Sequence, residues 1–346
     1  MAGMPEVVQF VPEHASRPEW QRHHAYRRTV QVERRPDEPL PPDDVVELMM
    51  KRPDPRQHHH RYQVVDGGEM VGELYAEGPR PDSPEYATNR HLLFAWVYVL
   101  KAARGRGIGT SLVPKVLGLM EENGATVLST MAEDDPGHEF IGRLGAEPKL
   151  IERQSRLDLR EVDWDMVGRW VREGEAASPE ARLDLYPNLV PAGVLDEYCA
   201  ALNELLNMMP FEDLDHGDII MTSDSLREWD ERRALTGSVS PTCVVREAGG
   251  AIVGMTDVLR HPHEPGIVRQ MFTGVHPRAR GRGLGKWAKA AMLEYVRGTF
   301  PETMWIVTEN AGSNASMLAI NHALGFRLHR EVTYYQVGLE RLRGGL

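Results

Sequence analysis

The chain has 346 residues, of which 41% are hydrophobic and 26% charged, and its formal net charge is -11 at pH 7. Since most domains hold about 100 to 200 residues, this length predicts two domains rather than one. The acidic balance disfavours a nucleic-acid partner, whose phosphates attract basic surfaces, and no apolar run approaches the about 20 residues of a membrane helix.

The start of the chain and its cysteines predict a cytoplasmic protein. The first ten residues lack the basic and apolar regions of a signal peptide. Cys199 and Cys243 are the only two cysteines, which excludes a disulfide framework or a cysteine-rich zinc site and suits a reducing compartment. We therefore expect a cytoplasmic location, with no membrane partner.

The segment from Pro36 to Arg61 predicts a loop around one short helix at Asp43 to Lys51. It contains six prolines and the triplet His58-His59-His60. Three histidines can bind a metal, but no acid or cysteine lies nearby at chelating spacing. We expect the triplet in a solvated loop, and the chain is predicted to hold no metal.

The rest of the first half predicts alternating strands and helices. Gly67-Gly68 is typical of a hairpin turn, and the aliphatic and aromatic run from Leu92 to Val99 predicts a strand. After it come the hexamer Arg104-Gly105-Arg106-Gly107-Ile108-Gly109, a helix from Thr110 to Glu122, a strand from Thr126 to Thr130, a helix ending at Gly145 and a closing strand near Ser155 to Leu159. The charged stretch from Arg160 to Ala181 is expected to be irregular, and it places the boundary between domains 1–162 and 163–346.

The second half repeats these landmarks in the same order. Its hexamer, Arg280-Gly281-Arg282-Gly283-Leu284-Gly285, matches the first at an offset of 176 residues. Around it lie a predicted helix at Asn203 to Met209, a turn at Gly249-Gly250, a strand at Val268 to Val275, a helix at Lys286 to Arg297, a strand at Met304 to Thr308, a helix end at Gly325 and a closing strand at Val332 to Val337. Two such hexamers at half-chain spacing indicate an internal duplication.

Each hexamer predicts a phosphate-binding loop. Glycines between a strand and a helix leave several backbone N–H groups free at the helix N-terminus, where the helix dipole favours an anion. The loop lies mid-domain, unlike a dinucleotide fingerprint, and it lacks the Gly-Lys-Ser/Thr ending of a nucleotide P-loop. The flanking arginines could add cationic capture of a diphosphate.

The second loop closely resembles the acetyl-CoA motif of the GNAT acetyltransferase superfamily. That resemblance rests on Val275-His276-Pro277-Arg278-Ala279-Arg280-Gly281-Arg282-Gly283-Leu284-Gly285, followed by Thr308-Glu309-Asn310-Ala311-Gly312-Ser313-Asn314 and by Asn321-His322-Ala323-Leu324-Gly325-Phe326. The first half carries the loop with Lys101 in place of the proline. The whole chain resembles actinobacterial two-domain GNAT proteins, with a layout like that of mycothiol synthase.

The resemblance implies two α/β (α+β) domains, each a mixed, bent sheet of six to seven strands that is flanked by helices and splayed between two central strands. It also implies acetyl-CoA, or coenzyme A, as the bound nucleotide. In the second half this implies binding by Thr273, Val275, Arg280, Gly281, Arg282, Gly283, Leu284, Gly285, Lys286, Asn310 and Asn314. In the first half the equivalent positions are Val97, Val99, Arg104, Gly105, Arg106, Gly107, Ile108, Gly109 and Thr110.

The two halves are unequal in length after the hexamer. From Gly283 to Gly325 the second half spans 42 residues, whereas the first spans 38 from Gly107 to Gly145. We expect the missing turn at Asp134 to Gly137, opposite the two asparagines that should seat the thioester. The N-terminal copy is therefore predicted to be degenerate, whether or not it still binds coenzyme A, and the C-terminal copy to be catalytic.

The general acid is the weak point of the resemblance. Many relatives place a tyrosine four residues before the glycine of the Gly-Phe pair, where this chain has Asn321 and, in its first half, Ile141. An amide cannot give up a proton to the leaving thiolate. Tyr334 and Tyr335 on the closing strand are candidate substitutes, with simple coverage of the sheet as the alternative.

The candidate bases are Asp257, Glu309 and His261, of which Asp257 ranks first because its strand follows the Gly249-Gly250 turn and can point into the cleft. Asp213, Asp215, His216 and Asp218 form an acidic cluster near the expected acceptor pocket. That cluster can recognise a cationic acceptor or simply solvate a loop. Both interpretations stay open.

The expected reaction is direct acyl transfer from acetyl-CoA to an amine of a small molecule, which the acidic charge predicts to be cationic, by a monomer or homodimer. The alternative is a non-catalytic acyl-CoA-binding regulatory protein, which the missing tyrosine permits. A third class, transfer from charged tRNA, is disfavoured by the intact phosphate loops and the acidic balance.

Overall fold

A computed structural model describes residues 5–345. These residues form two compact units. Unit 1 comprises residues 5–149, 213–218 and 333–345, and unit 2 comprises residues 150–212 and 219–332. The predicted fold class is confirmed, since each unit combines helices with one mixed sheet.

The strands are β1 (Glu6–Gln9), β2 (Gln57–Asp66), β3 (Glu69–Pro79), β4 (Leu92–Val99), β5 (Val127–Ala132), β6 (Glu147–Asp158), β7 (Arg182–Tyr186), β8 (Thr242–Arg246), β9 (Ile252–Arg260), β10 (Ile267–Val275), β11 (Trp305–Ala311) and β12 (Arg327–Gly338). The helices are α1 (Arg17–Arg34), α2 (Asp43–Met50), α3 (Tyr86–Asn89), α4 (Ile108–Asn123), α5 (Asp135–Arg143), α6 (Trp164–Ala177), α7 (Leu195–Leu206), α8 (Ser223–Leu235), α9 (Leu284–Thr299), α10 (Ala315–Leu324) and α11 (Leu339–Gly344). Both hexamers thus lie between a strand and a long helix, as predicted.

The sheet of unit 1 has the strand order β1-β2-β3-β4-β5-β12 and is antiparallel except for the β4–β5 pair. Residues alternate along β4, so Leu93 and Ala95 pack in the core with α4 while Tyr98 packs on the other face. There the Tyr26 hydroxyl of α1 donates a 2.9 Å hydrogen bond to the Tyr98 carbonyl. The unit therefore has helices on both faces of its sheet.

The sheet of unit 2 has the order β6-β11-β10-β9-β8-β7, and only β10 and β11 run parallel. One face is covered by α6 and α9, whose Trp170 and Leu293 share a core with Val258 and Ile306. The opposite face is covered by α7 and α8, which pack against Met255. Asp257, the predicted base, lies two residues after Met255 on β9 and therefore shares this second face.

The closing strand of each half completes the sheet of the other unit. Thr333 to Gly338 of β12, from the end of the chain, pair with β5 in unit 1. Conversely, Glu152 to Asp158 of β6 pair with β11 in unit 2. The two units are therefore interleaved along the chain, and the predicted boundary between residues 162 and 163 stays a prediction.

Two local predictions were wrong. His58-His59-His60 lie in β2, paired with β3, instead of in a loop, and the His59 ring bonds the Tyr75 hydroxyl at 2.9 Å and the Asp54 carbonyl at 3.0 Å. The stretch from Arg160 to Ala181 contains α6, which begins at the cap Asp163. One face of α6 is charged, and the other carries regularly spaced apolar residues that pack on α9.

No helix among residues 5–345 has both the length and the apolar character that crossing a membrane requires.

Candidate active site

Each unit opens between its two parallel strands. In unit 1 the parallel pairing joins Leu92–Phe94 to Val127–Ser129, and in unit 2 it joins Ile267–Gln270 to Trp305–Thr308. All four strands continue beyond these pairs. Beyond these pairs, the facing backbone edges of the two strands are available to an extended ligand. This opening corresponds to the splay that the resemblance implies.

Only β10 carries a bulge among these strands. Its register against β9 shifts between Gln270 and Phe272, whereas β3 and β4 pair without a shift from Gly72 with Val99 to Glu77 with Phe94. A bulge bends its strand and re-aims the neighbouring groups. It lies close before Thr273, whose hydroxyl contacts that of Thr256 at 2.8 Å.

The glycines of both hexamers are required by the backbone. Gly105, Gly107, Gly281 and Gly283 have φ values of 75°, 78°, 77° and 76°, and a Cβ atom at any of them would meet nothing within 4 Å. Gly107 and Gly283 are the N-caps of α4 and α9, and no side chain caps either helix. The first-turn amides are thus free to bind an anion, which fits the diphosphate of coenzyme A.

The arginine side chains of the hexamers have partners within the protein. Arg104 Nε donates to the Val99 carbonyl at 3.0 Å, and Arg280 Nε donates to the Val275 carbonyl at the same distance. Arg106 pairs with Asp66 at 2.7 Å and Arg282 pairs with Glu247 at 2.8 Å. These contacts hold the loop against its strand and hairpin, and they engage the arginine side chains that the sequence analysis considered for diphosphate capture.

A cavity of about 550 Å³ fills the splay of unit 1. The predicted first-half binding positions, Arg106 excepted, line it together: Val97, Val99, Arg104, Gly105, Gly107, Ile108, Gly109 and Thr110. At one wall Arg104 forms a 3.0 Å ion pair with Asp134. The first half therefore keeps a cleft of the size that a large ligand requires.

The missing turn of the first half is divided between two connections. Leu128 pairs with the core residue Leu93, and Ile306 pairs with the core residue Val268, so Leu128 and Ile306 are equivalent. Two of the four missing residues therefore fall in the connection after α4, and two fall between the strand and the next helix, in the segment where the missing turn was expected. Asp134 replaces Asn314 as the cap of that helix, and Ala132 replaces Asn310.

Unit 2 holds a buried polar chain that the sequence analysis missed. Lys289 of α9 is 1% exposed, and its Nζ donates to Asn321 Oδ1 and lies 3.7 Å from the Met317 sulfur. Asn321 Nδ2 then donates to Asn310 Oδ1 at 2.7 Å. Burial lowers the pKa of Lys289 to about 7. Its spacing from the core residues Leu293 and Val296 was the signal available in the sequence.

Asp257, the first-ranked base, is half-buried in unit 2. Burial raises the pKa of its carboxyl to about 7, and the Arg233 charge and a backbone hydrogen bond from Phe272 partly offset that rise. The nearby Tyr198 has a raised pKa as well, through its own burial and the Asp257 charge. A carboxyl that titrates near neutrality can take up and release a proton at working pH.

The other candidate bases have local partners in unit 2. Glu309 accepts a 2.8 Å hydrogen bond from Gln154, which lies opposite it on β6. His261 contacts the Ser238 hydroxyl at 2.7 Å. Neither contact excludes proton transfer, but each also accounts for the side chain structurally.

Several residues expected at the second-half site belong to unit 1 instead. Tyr334 lies opposite Met131, and the Tyr335 hydroxyl contacts His138 Nδ1 at 2.8 Å. The acidic cluster lies in unit 1 too, where Asp215 pairs with His91 at 3.2 Å. These tyrosines therefore belong to unit 1, whereas Asn321 belongs to unit 2, because the closing strands are exchanged.

A family model described as the acetyltransferase (GNAT) family matches residues 21–146 and 201–326. A solved tandem GNAT protein from the clavulanic acid biosynthesis pathway is 22% identical and superposes with a TM-score of 0.72, over 96% of this chain and 98% of its own. A GCN5-related N-acetyltransferase from Sphaerobacter thermophilus is 14% identical, with a TM-score of 0.65 over 96% and 95% of the two chains. Saccharomyces cerevisiae N-myristoyltransferase is 10% identical, with a TM-score of 0.57 over 97% and 80%. No curated protein matches the sequence.

Proposed function

Since the chain belongs to the acetyltransferase (GNAT) family and carries two such domains, we propose that its second copy transfers an acetyl group from acetyl-CoA directly to an amine of a small molecule. The observation that carries this proposal is Asp257, a half-buried carboxyl with a pKa near 7 in the unit that also holds the splay of β10 and β11. The net charge of -11 favours a cationic amine as the acceptor. We expect a cytoplasmic enzyme.

The loop of unit 2 would hold the nucleotide. The backbone amides of Gly281 to Lys286 would bind the diphosphate at the start of α9. The edge of β10 at Thr273 and Val275 would pair with the pantetheine arm, and Asn314 would border it. Bound acetyl-CoA supplies an acyl group activated as a thioester.

Asp257 would act as the general base. At neutral pH a carboxyl with a pKa near 7 is partly ionised, so it can accept a proton from the acceptor ammonium or amine and return it to solvent. Its surroundings on the α7 face, including Tyr198, exclude much of the water that would otherwise keep this pKa low. The same face would receive the acceptor.

The first copy has no acid at the corresponding position. Asp257 pairs with Phe272 across the sheet, and the equivalent pair in unit 1 is Tyr75 with Trp96. The Tyr75 hydroxyl hydrogen-bonds Glu77 and His59. This difference supports chemistry in unit 2, with unit 1 as a degenerate copy whose cleft still accommodates coenzyme A.

Release of free coenzyme A thiol tests the proposal. The protein is incubated with acetyl-CoA and a panel of mono- and polyamines, and Asp257→Asn is run beside the wild type. We expect sustained release with at least one amine and a large loss in the variant. Tight binding of acetyl-CoA without release on any amine would instead favour the alternative, a non-catalytic acyl-CoA-binding regulatory protein.

A further inference from the structure

We propose that Lys289 is a positioning residue whose charge, carried through Asn321 to Asn310, stabilises the thiolate that leaves during acyl transfer. This inference rests on the proposed function, and it assigns the task of the absent tyrosine to a polarised hydrogen-bond chain. Lys289 itself does not reach the substrate. Asn310 is the member that faces it.

The orientation of both amides follows from the donor at the start of the chain. An ammonium group has only donors, so Asn321 must turn its oxygen toward Lys289. Its nitrogen then donates to the Asn310 oxygen at 2.7 Å. This leaves the Asn310 nitrogen, which has no partner among residues 5–345, to donate outward.

Asn310 lies where that donor is useful. The parallel pairing of β10 and β11 ends at Gln270 with Thr308, and Asn310 follows two residues later on the same strand. It is half-buried, whereas Lys289 and Asn321 are 1% and 3% exposed. The chain thus runs from the dry core of the helix pair to the open splay.

Burying this ammonium group costs free energy, and no acid among residues 5–345 forms an ion pair with it. Its neighbours are Met317 and Asn321 on α10 and, just before β12, the ring of Phe326, which lies 5.2 Å from Nζ. None of these groups titrates, and burial is the only cause of the lowered pKa of Lys289. Natural cores rarely keep a lysine that lacks a carboxylate partner, because an apolar residue of similar volume is more stable there.

The first copy supplies the comparison within one chain. The hexamer offset places Val113 at the position of Lys289, and the helix ends place Ile141 at that of Asn321. The core residues of the strands, Leu128 and Ile306, place Ala132 at that of Asn310. Val113 and Ile141 line an apolar cavity of about 80 Å³ in unit 1, and Ala132 belongs to the same hydrophobic core. Three polar residues in contact in one copy are thus three apolar residues in the other, which indicates one joint role.

The chemistry balances without proton transfer through the amides. The amine nitrogen forms a bond to the carbonyl carbon, the carbon–sulfur bond breaks and its electron pair stays on sulfur. The proton lost by the amine goes to Asp257, and solvent later protonates the sulfur. The chain acts only by offering a donor, polarised by a positive charge in a low-dielectric core, to the negative sulfur.

The test compares Lys289→Met, which keeps the volume, with Lys289→Arg, which keeps the charge, and with Arg297→Met, which removes an exposed cation from the same helix. One readout needs no turnover: the ultraviolet absorbance of the thiolate gives the pKa of coenzyme A thiol bound to each protein. We expect Lys289→Met to raise that pKa and Arg297→Met to leave it unchanged. An equal thiol pKa in the wild type and Lys289→Met would overturn the inference.

Turnover gives the second readout. We expect kcat to fall about 10- to 100-fold in Lys289→Met with little change in KM, and Lys289→Arg to recover part of it. The wild-type kcat should decline above neutral pH as Lys289 loses its charge, and this decline should vanish in Lys289→Met. A pH profile of the same shape in both proteins would also overturn the inference. If no amine supports turnover, the thiol pKa still decides the role of Lys289 while the proposed function fails.

Discussion

Lys289 and Val113 occupy the same position in the two copies, six residues after the hexamer glycine that caps each helix. Both are almost fully buried, at 1% and 4% exposure. Val113 packs in an apolar core, whereas Lys289 donates to Asn321. The duplicated fold therefore accepts an apolar residue at this point, and the second copy departs from it for a reason other than stability.

Replacing Lys289 with methionine should stabilise the protein. The lysine titrates near 10.5 in the unfolded chain and near 7 when folded, so the unfolded chain binds more protons between these values. Stability from this group therefore rises as the pH increases from about 7 toward 10. We expect Lys289→Met to raise Tm at pH 7 and to remove this slope, as measured by thermal unfolding from pH 6 to 10. A lower Tm in the variant at pH 7 would contradict a net cost of burying Lys289 without a carboxylate partner.

Replacing Asp257 with asparagine should remove the acidic limb of the activity profile. In the wild type, kcat/KM should increase with pH through about 7 as this carboxyl ionises. We expect Asp257→Asn to lose about 100-fold or more in kcat/KM and to show no such increase. A wild-type profile that stays flat between pH 5.5 and 8 would argue against Asp257 as the base.

The raised pKa of Asp257 also predicts how the free energy of unfolding depends on pH. Its folded pKa of about 7 lies above the unfolded value of 3.8, so the folded chain binds the extra proton. The contribution of Asp257 is fully present below about pH 3.8 and is lost as the pH rises through 7. Chemical denaturation at pH 5 and pH 8 should show a smaller loss of stability for Asp257→Asn than for the wild type.

A pair of loop variants separates the roles of the two copies. Gly283→Glu places a strained residue with a negative charge in the second phosphate loop, and Gly107→Glu does the same in the first. We expect Gly283→Glu to abolish turnover and Gly107→Glu to retain most of it. Calorimetry with coenzyme A then counts the sites that each variant keeps. Loss of turnover in Gly107→Glu alone would reverse the assignment of the catalytic copy.

Two helical glycines test the packing of unit 2. A Cβ on Gly174 of α6 would lie 2.3 Å from the Trp287 ring of α9, whereas a Cβ on Gly298 of α9 would meet nothing within 4 Å. We expect Gly174→Ala to destabilise the protein by about 1 to 3 kcal/mol and Gly298→Ala to be neutral or stabilising by up to about 1 kcal/mol. Equal effects in urea unfolding would mean that α6 and α9 do not pack this closely.

Much of the architecture could be predicted from local patterns. The strand from Leu92 to Val99 was predicted with its observed bounds, and the helices after both hexamers were predicted to within two residues. Hydrophobic runs and glycines in left-handed conformations are local properties. Prediction failed where a strand or helix owes its existence to a distant partner, as for His58-His59-His60 against β3 and for α6 against α9.

The sequence by itself determined the duplication and the position of each glycine hexamer between a strand and a helix, because motif spacing and strand patterns are local properties of the sequence. The tertiary structure decided which strands close which sheet, and so assigned Tyr334 and the acidic cluster to unit 1. It also joined Lys289, Asn321 and Asn310, which lie up to 32 positions apart in the chain. Pairing and burial depend on contacts between distant segments, and those contacts set both the ladder partners of a strand and the pKa of a lysine.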